Sequence, residues 1–189
     1  MTIYCKSFEK LLTFLILVVI WGDVMAGFDE AQAAYDMGNY DVAAREYRVL
    51  AERGNPGAQY NMGIMYEEGK GLPKDNKEAA RWYRKSAEQG FAAAQFNLGH
   101  MYIAGQGVPV NYEEGVKWYR KAADNGDVAA QVNLGYMYFV GKGVPLDLVQ
   151  ACMWYRKAAD LGYPEGQYNL GYMYAKGQGV PQDYVQAYM

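Results

Sequence analysis

Cysteine is almost missing from this sequence: of its 189 residues only Cys5 and Cys152 carry a thiol. With Cys5 in an amino-terminal leader, Cys152 stands alone, so no internal disulfide can form and the fold must rest on packing. Histidine is scarcer still. His100 is the only one, which rules out a His-based metal cluster, and no second group is spaced to complete a catalytic triad with it. A charge of one sign is also lacking. The formal net charge is -3, with acidic and basic residues mixed along the chain. General nucleic-acid binding, which needs a strong positive excess to neutralise phosphates, is therefore excluded. Proline is sparse at 6 residues, and no Asn is followed two places later by Ser or Thr. No apolar run reaches the roughly 20 residues that span a bilayer. What the chain does have is 22 Gly, 19 Tyr and 51% hydrophobic residues. That much aromatic and apolar material opposes disorder and supports a packed core.

The amino terminus reads as an export signal. Lys6 and Lys10 precede the apolar run Leu11 to Trp21. Val24-Met25-Ala26 then places small or modest side chains where a signal peptidase cleaves. Residues 1–26 are expected to be a signal peptide and Gly27 the first mature residue. Without disulfides or glycan acceptors, export points to a bacterial periplasm or to secretion. No membrane span is expected in the mature chain.

An internal repeat of period 36 decides the fold class. Gln59, Gln95, Gln131 and Gln167 align, as do Asn61, Asn97, Asn133 and Asn169, then Gly63, Gly99, Gly135 and Gly171, then Met65, Met101, Met137 and Met173, then Tyr66, Tyr102, Tyr138 and Tyr174. Each block runs into a Gly-x-Gly-apolar-Pro loop ending at Pro73, Pro109, Pro145 or Pro181, and three blocks continue to Trp-Tyr-Arg-Lys at Trp82, Trp118 and Trp154. Ala58, Met62, Met65 and Tyr66 share one face of a helix from Pro56 to Glu68. Glycine ends that helix, and Pro73 prevents its continuation. Asp75, Asn111, Asp147 and Asp183 are placed to cap each second helix. The expected fold is all-α, a solenoid of antiparallel helix pairs. Residues 27–54 form a tetratricopeptide-like capping helix pair, and residues 55–189 form the repeats, the last of them incomplete. Its final helix, Tyr184 to Met189, has under two turns and the last repeat carries no polar capping unit, which allows end-to-end self-association.

These residues resemble the Sel-like repeat (SLR) family, a longer relative of the tetratricopeptide repeat. The segment Ala94 to Gly126 carries nearly the whole pattern, with Leu98-Gly99, Tyr102, Gly105, Gly107-Val108, Trp118-Tyr119, Lys121-Ala122-Ala123 and Gly126. The resemblance implies a right-handed superhelix with the first helices on the concave side. It also implies adaptor work: scaffolding of complexes, envelope assembly, or binding of host or bacterial partners. The chain departs from those secreted members that carry disulfides within their repeats.

Positions that differ between copies are free to carry specificity. On the first helices these form stripes at i, i+4, i+7 opposite the core face. Tyr60 and Ile64 belong to the first stripe, Phe96 and His100 to the second, Val132, Tyr136 and Phe139 to the third, and Tyr168 and Tyr172 to the fourth. Together with the bordering Asn61, Asn97, Asn133 and Asn169 they are the expected partner-binding residues, forming an aromatic groove for a protein or peptide. The opposing expectation packs these rings against neighbouring first helices and gives the Asn amides structural bonds to the adjacent loop. Arg84-Lys85, Arg120-Lys121 and Arg156-Lys157 read as solvated charges favouring helix carboxyl ends, or alternatively as a ladder for an envelope glycan or another anionic surface. Cys152 aligns with Ala80 and Val116 and reads as a buried thiol. The Gly-x-Gly loops follow helices rather than strands, so they are not phosphate cradles. Glu67-Glu68 and Glu113-Glu114 each occur in one repeat and read as solvent-facing. No cofactor and no enzymatic activity are expected, a cell-wall-acting enzyme being the least favoured alternative.

Overall fold

The computed structural model describes residues 27–188, and the signal-peptide reading lies outside them. Every regular element among the described residues is a helix: α1 (27–36), α2 (Tyr40–Glu52), α3 (Pro56–Glu68), α4 (Asn76–Glu88), α5 (Ala92–Ala104), α6 (Tyr112–Asp124), α7 (Val128–Val140), α8 (Leu148–Asp160), α9 (Pro164–Lys176) and α10 (Tyr184–Ala187). The chain parts into two compact units, one ending at Lys74 and the other beginning at Asp75. In the first, α2 packs on α3. In the second, each helix from α4 to α10 packs on the next. Packing dominated by successive helices is the organisation of a solenoid.

The local signals explain the helix ends. The Asn55 side chain accepts from Ala58 N–H, and Pro56 opens α3, where a missing donor costs nothing. Asp75, Asn111, Asp147 and Asp183 cap α4, α6, α8 and α10 through side-chain bonds to first-turn N–H groups. Each first helix ends on a left-handed glycine. The next N–H turns back to a methionine carbonyl, as from Gln106 to Met101 at 3.0 Å. The loop then closes where the capping residue's own N–H reaches a tyrosine carbonyl, Asn111 to Tyr102 at 2.9 Å and Asp147 to Tyr138 at 3.0 Å.

The core of the second unit is a continuous layer containing Leu134, Met137, Tyr119, Tyr155 and Met173, with Cys152 buried among them. The α7–α8 contact depends on Gly135 having no side chain: a Cβ there would stand 2.8 Å from the ring of Tyr155. Burial pushes the Cys152 thiol pKa up, with the Arg156 guanidinium opposing the shift.

The repeating glutamines have a task that periodicity alone does not disclose. Gln95 is buried and donates through Nε2 to the Ala87 carbonyl at 3.0 Å, tying α5 to the last turn of α4. Asn125 Nδ2 completes the arrangement by donating to Gln95 Oε1 at 2.9 Å. One repeat later the position of Asn125 is held by Leu161, which is exposed and cannot donate, and Gln131 Oε1 is buried without a partner. An unpaired buried acceptor costs about 1–3 kcal/mol. Leu161→Asn is therefore expected to raise stability by about 1 kcal/mol, read as a higher denaturation midpoint. An unchanged or lower midpoint would refute this account of the pair.

Candidate partner-binding site

The residues expected to bind a partner are presented unevenly. In the first unit, Tyr60, Asn61 and Ile64 are half-buried. Asn61 and Ile64 line a pocket of about 180 Å³ with Gln32, Tyr35 and Tyr47. Tyr47 donates to Gln32 Oε1 at 2.8 Å, and Asn61 hydrogen-bonds the same phenol. Burial outweighs that bond and raises the Tyr47 pKa to about 12.

In the second unit, Phe96 and Asn97 are half-buried and His100 is exposed. The Phe96 ring stacks on Tyr119 with centroids 5.6 Å apart and planes at 28°. Phe96, Val132 and Phe139 all pack against the core layer. Asn133 hydrogen-bonds the Tyr119 phenol. Its partner is thus a ring hydroxyl on the preceding second helix, whereas the sequence pointed to the adjacent loop. Burial still dominates at Tyr119, raising its pKa to about 12.

Three rings stay open to solvent: Tyr136 at 51% exposure, Tyr168 at 75% and Tyr172 at 43%. They meet in a cleft of about 240 Å³, lined also by Phe139, Tyr155, Asn169 and Met173. Two walls and a floor come from three helices. Tyr136 and Phe139 stand on α7, while Tyr168, Asn169, Tyr172 and Met173 stand on α9. Tyr155 of α8 lies beneath, its pKa raised to about 12 by burial, with a further contribution from Tyr136. The walls touch through Phe139 and Tyr172, whose rings meet edge to face with centroids 6.4 Å apart. That is a favoured geometry for an aromatic pair. Tyr155 and Met173 entered the sequence reading only as repeat positions, because their copies fill the core elsewhere.

The Arg-Lys pairs are engaged rather than simply solvated. Arg84 donates to the Tyr102 hydroxyl, Arg120 to that of Tyr138, and Arg156 to that of Tyr174 at 2.5 Å. Lys85, Lys121 and Lys157 hold their ammonium groups 4.0, 4.2 and 4.0 Å from the ring centres of Trp82, Trp118 and Trp154. Each pair therefore clips a second helix to the following first helix and roofs its own tryptophan. The spacing of 18 residues between each Arg and its Tyr recurs in every copy and was the available signal. A basic cleft of about 390 Å³ remains along α4, lined by Lys77, Arg81, Arg84 and Lys85 with Glu88. Among the described residues no helix is long and apolar enough to cross a membrane.

A family model described as Sel1 repeat matches the chain at residues 56–91, 92–127, 128–163 and 164–189. No curated protein matches it. Among solved structures the chain is similar to c5321, a protective antigen of uropathogenic Escherichia coli strains displaying an SLR fold. The two share 39% identity over 88% of this chain and 37% of that one, with a TM-score of 0.84. A Sel1 repeat protein from Oxalobacter formigenes is similar at 38% identity over 87% of this chain and 67% of that one, with a TM-score of 0.81. The chain thus spans well under half the length of the first of these relatives and about two thirds of the second.

Proposed function

Since the chain belongs to the Sel1-repeat family, whose repeats generally mediate protein interactions, we propose that it is a non-catalytic adaptor that holds a protein or peptide partner in the cleft between α7 and α9. The supporting observation is the convergence of three solvent-exposed tyrosines on one cleft over a buried floor. Exposed aromatic clusters of this kind serve as interface anchors. Burying one such ring contributes roughly 1.5–3 kcal/mol. Three rings contribute roughly 4.5–9 kcal/mol before the cost of association is subtracted, so a micromolar complex, at about 8 kcal/mol net, also draws on contacts outside the rings. In this reading residues 1–26 direct export to a bacterial periplasm or to the medium, residues 27–54 cap the array, and residues 55–189 form the binding repeats.

Affinity capture from an envelope extract tests the proposal. The chain is expected to retain a partner that Tyr136→Ala combined with Tyr172→Ala loses, while far-ultraviolet circular dichroism keeps the helical signal. Unchanged capture by the double variant would retire the cleft. The basic cleft along α4 supports a second reading, binding of an anionic envelope glycan or surface. Its residues are already committed in part, Arg81 to Glu78 at 2.5 Å, Arg84 to Tyr102 and Lys85 to Trp82. Salt separates the two readings. Capture through charges weakens steeply as ionic strength rises, and capture through rings changes little.

A further inference from the structure

The aromatic cleft opens at one particular place in the array, and the period-36 register explains why. Phe96 lays its ring on Tyr119 and so covers the first-helix side of that tyrosine. The residue in the same relation to Tyr155 is Val132, which has no ring to lay there. Asn133 bonds the Tyr119 phenol, whereas its counterpart Asn169 lines the cleft. Meanwhile Tyr136 replaces His100, and Tyr168 replaces Val132 of the preceding copy. One ring is removed from beside the floor, Tyr136 exchanges an imidazole for a phenol, and with Phe139 in place of Ile103 the walls gain two rings.

The lining restricts what can enter. It contains four phenols, a phenyl ring, a thioether and a carboxamide, and no charged side chain. It therefore supplies no ion-pair partner for a charged occupant, which favours a neutral one. A phosphorylated or acidic motif would need arginines. Strand addition needs an open sheet edge, and the described residues contain no strand. An amphipathic helix needs a row of apolar pockets over several turns. A single cleft of about 240 Å³ does not supply that row. A polyproline II segment has the complementary chemistry. Its flat pyrrolidine rings lie on aromatic faces. Its carbonyls make no internal hydrogen bonds and accept from phenol hydroxyls and an amide N–H. The dimensions also agree. Polyproline II repeats every three residues, about 9 Å along its axis, enough to reach from one wall to the other past the Phe139–Tyr172 contact, where the ring centres are 6.4 Å apart. A segment crossing from α7 to α9 thus sets one residue against Tyr136 and Phe139 and the third residue beyond it against Tyr168 and Tyr172.

We infer that the cleft between α7 and α9 recognises a neutral, proline-rich segment in the polyproline II conformation, with Val132 as the residue that keeps the site open. This rests on the cleft being the partner-binding surface.

The test is a calorimetric titration of the full chain with a synthetic peptide of repeated Pro-Pro-Ala triplets. A peptide with every proline replaced by alanine and a soluble β-linked glucan oligosaccharide serve as comparisons. Saturable binding of the proline peptide alone is expected. Tyr168→Ala removes a mostly exposed ring and should weaken binding about ten- to hundred-fold. Val132→Phe should close the floor and abolish binding with the helical signal kept. If Val132→Phe fails to fold, the Tyr168→Ala result decides alone. No binding of the proline peptide, equal binding of the alanine peptide, binding indifferent to Tyr168→Ala, or binding of the glucan in its place would each overturn the assignment. If the proline peptide fails while the Tyr136→Ala, Tyr172→Ala pair still loses its captured partner, only the ligand class is wrong. If capture is also unaffected, the cleft itself falls.

Discussion

Trp118→Ala is expected to cost roughly 3–5 kcal/mol of unfolding free energy, the range for deleting a buried large aromatic ring. Trp118 lies in the middle of α6 and is buried. Its loss removes the hydrophobic transfer energy of the indole and leaves a void that backbone on a stacked helix cannot collapse to fill. It also strips Lys121 of the ring beneath its ammonium group, 4.2 Å away. Such a contact is worth about 0.5–1 kcal/mol at an exposed site. The position magnifies the damage. In a solenoid, stability is approximately a sum of repeat terms and nearest-neighbour interfaces. A weakened interior helix therefore uncouples what lies on either side of it. Denaturant unfolding followed by circular dichroism should show a lowered midpoint together with a shallower or split transition, since a broken array no longer melts as one unit. Trp118→Phe, which keeps a ring in the site, should lose distinctly less. A loss under about 1 kcal/mol for the alanine variant, far below the usual range for such a deletion, would mean that the recurring tryptophans are not structural pillars.

How far the sequence carried the reading depends on whether a feature is local. The bounds of α3, the capping roles of Asp75, Asn111, Asp147 and Asp183, and the glycine stops were legible because each is settled within a few residues of chain. The helix-pair architecture was legible because the same local solution recurs at a fixed interval. Side-chain partnerships between helices were not. Arg120 read as a solvated charge and Tyr138 as a residue of its helix's core face, and only stacking brings the guanidinium onto the phenol. The aromatic stripes were visible in all copies, yet their depth depends on what lies beneath. Phe96 seals its site by stacking on Tyr119, while Tyr168, one of the fourth copy's rings, stands mostly in solvent. Hydrophobic periodicity assigns a face to a residue. It does not say whether a neighbour's ring already occupies that face.

Gly107→Ala should be as damaging as the tryptophan deletion, and for a different reason. Gly107 is the second glycine of its loop and adopts a left-handed φ of 69°. An L side chain in that region costs about 1–2 kcal/mol. Its surroundings add more. A Cβ there would overlap the carbonyl oxygen of Asn76, the first residue of α4, and stand 2.8 Å from Lys77 N. Both are backbone atoms at a capped helix start and have nowhere to go. The same seat recurs in this unit, where Gly143 meets the Tyr112 carbonyl and Gly179 meets that of Leu148. The loop of one repeat is thereby set onto the amino terminus of the preceding repeat's second helix, which fixes the stacking interval. Forcing an atom into such a contact costs about 1–3 kcal/mol, so the total loss should be roughly 2–5 kcal/mol. Gly126 separates the two contributions. It has a φ of +88° but nothing within 4 Å of a built Cβ, so Gly126→Ala carries the conformational cost alone. The denaturation midpoint should therefore fall clearly further for Gly107→Ala than for Gly126→Ala. Equal losses would show that the second loop glycine is required only for its backbone angle, and that the repeats are held in register by their side chains alone.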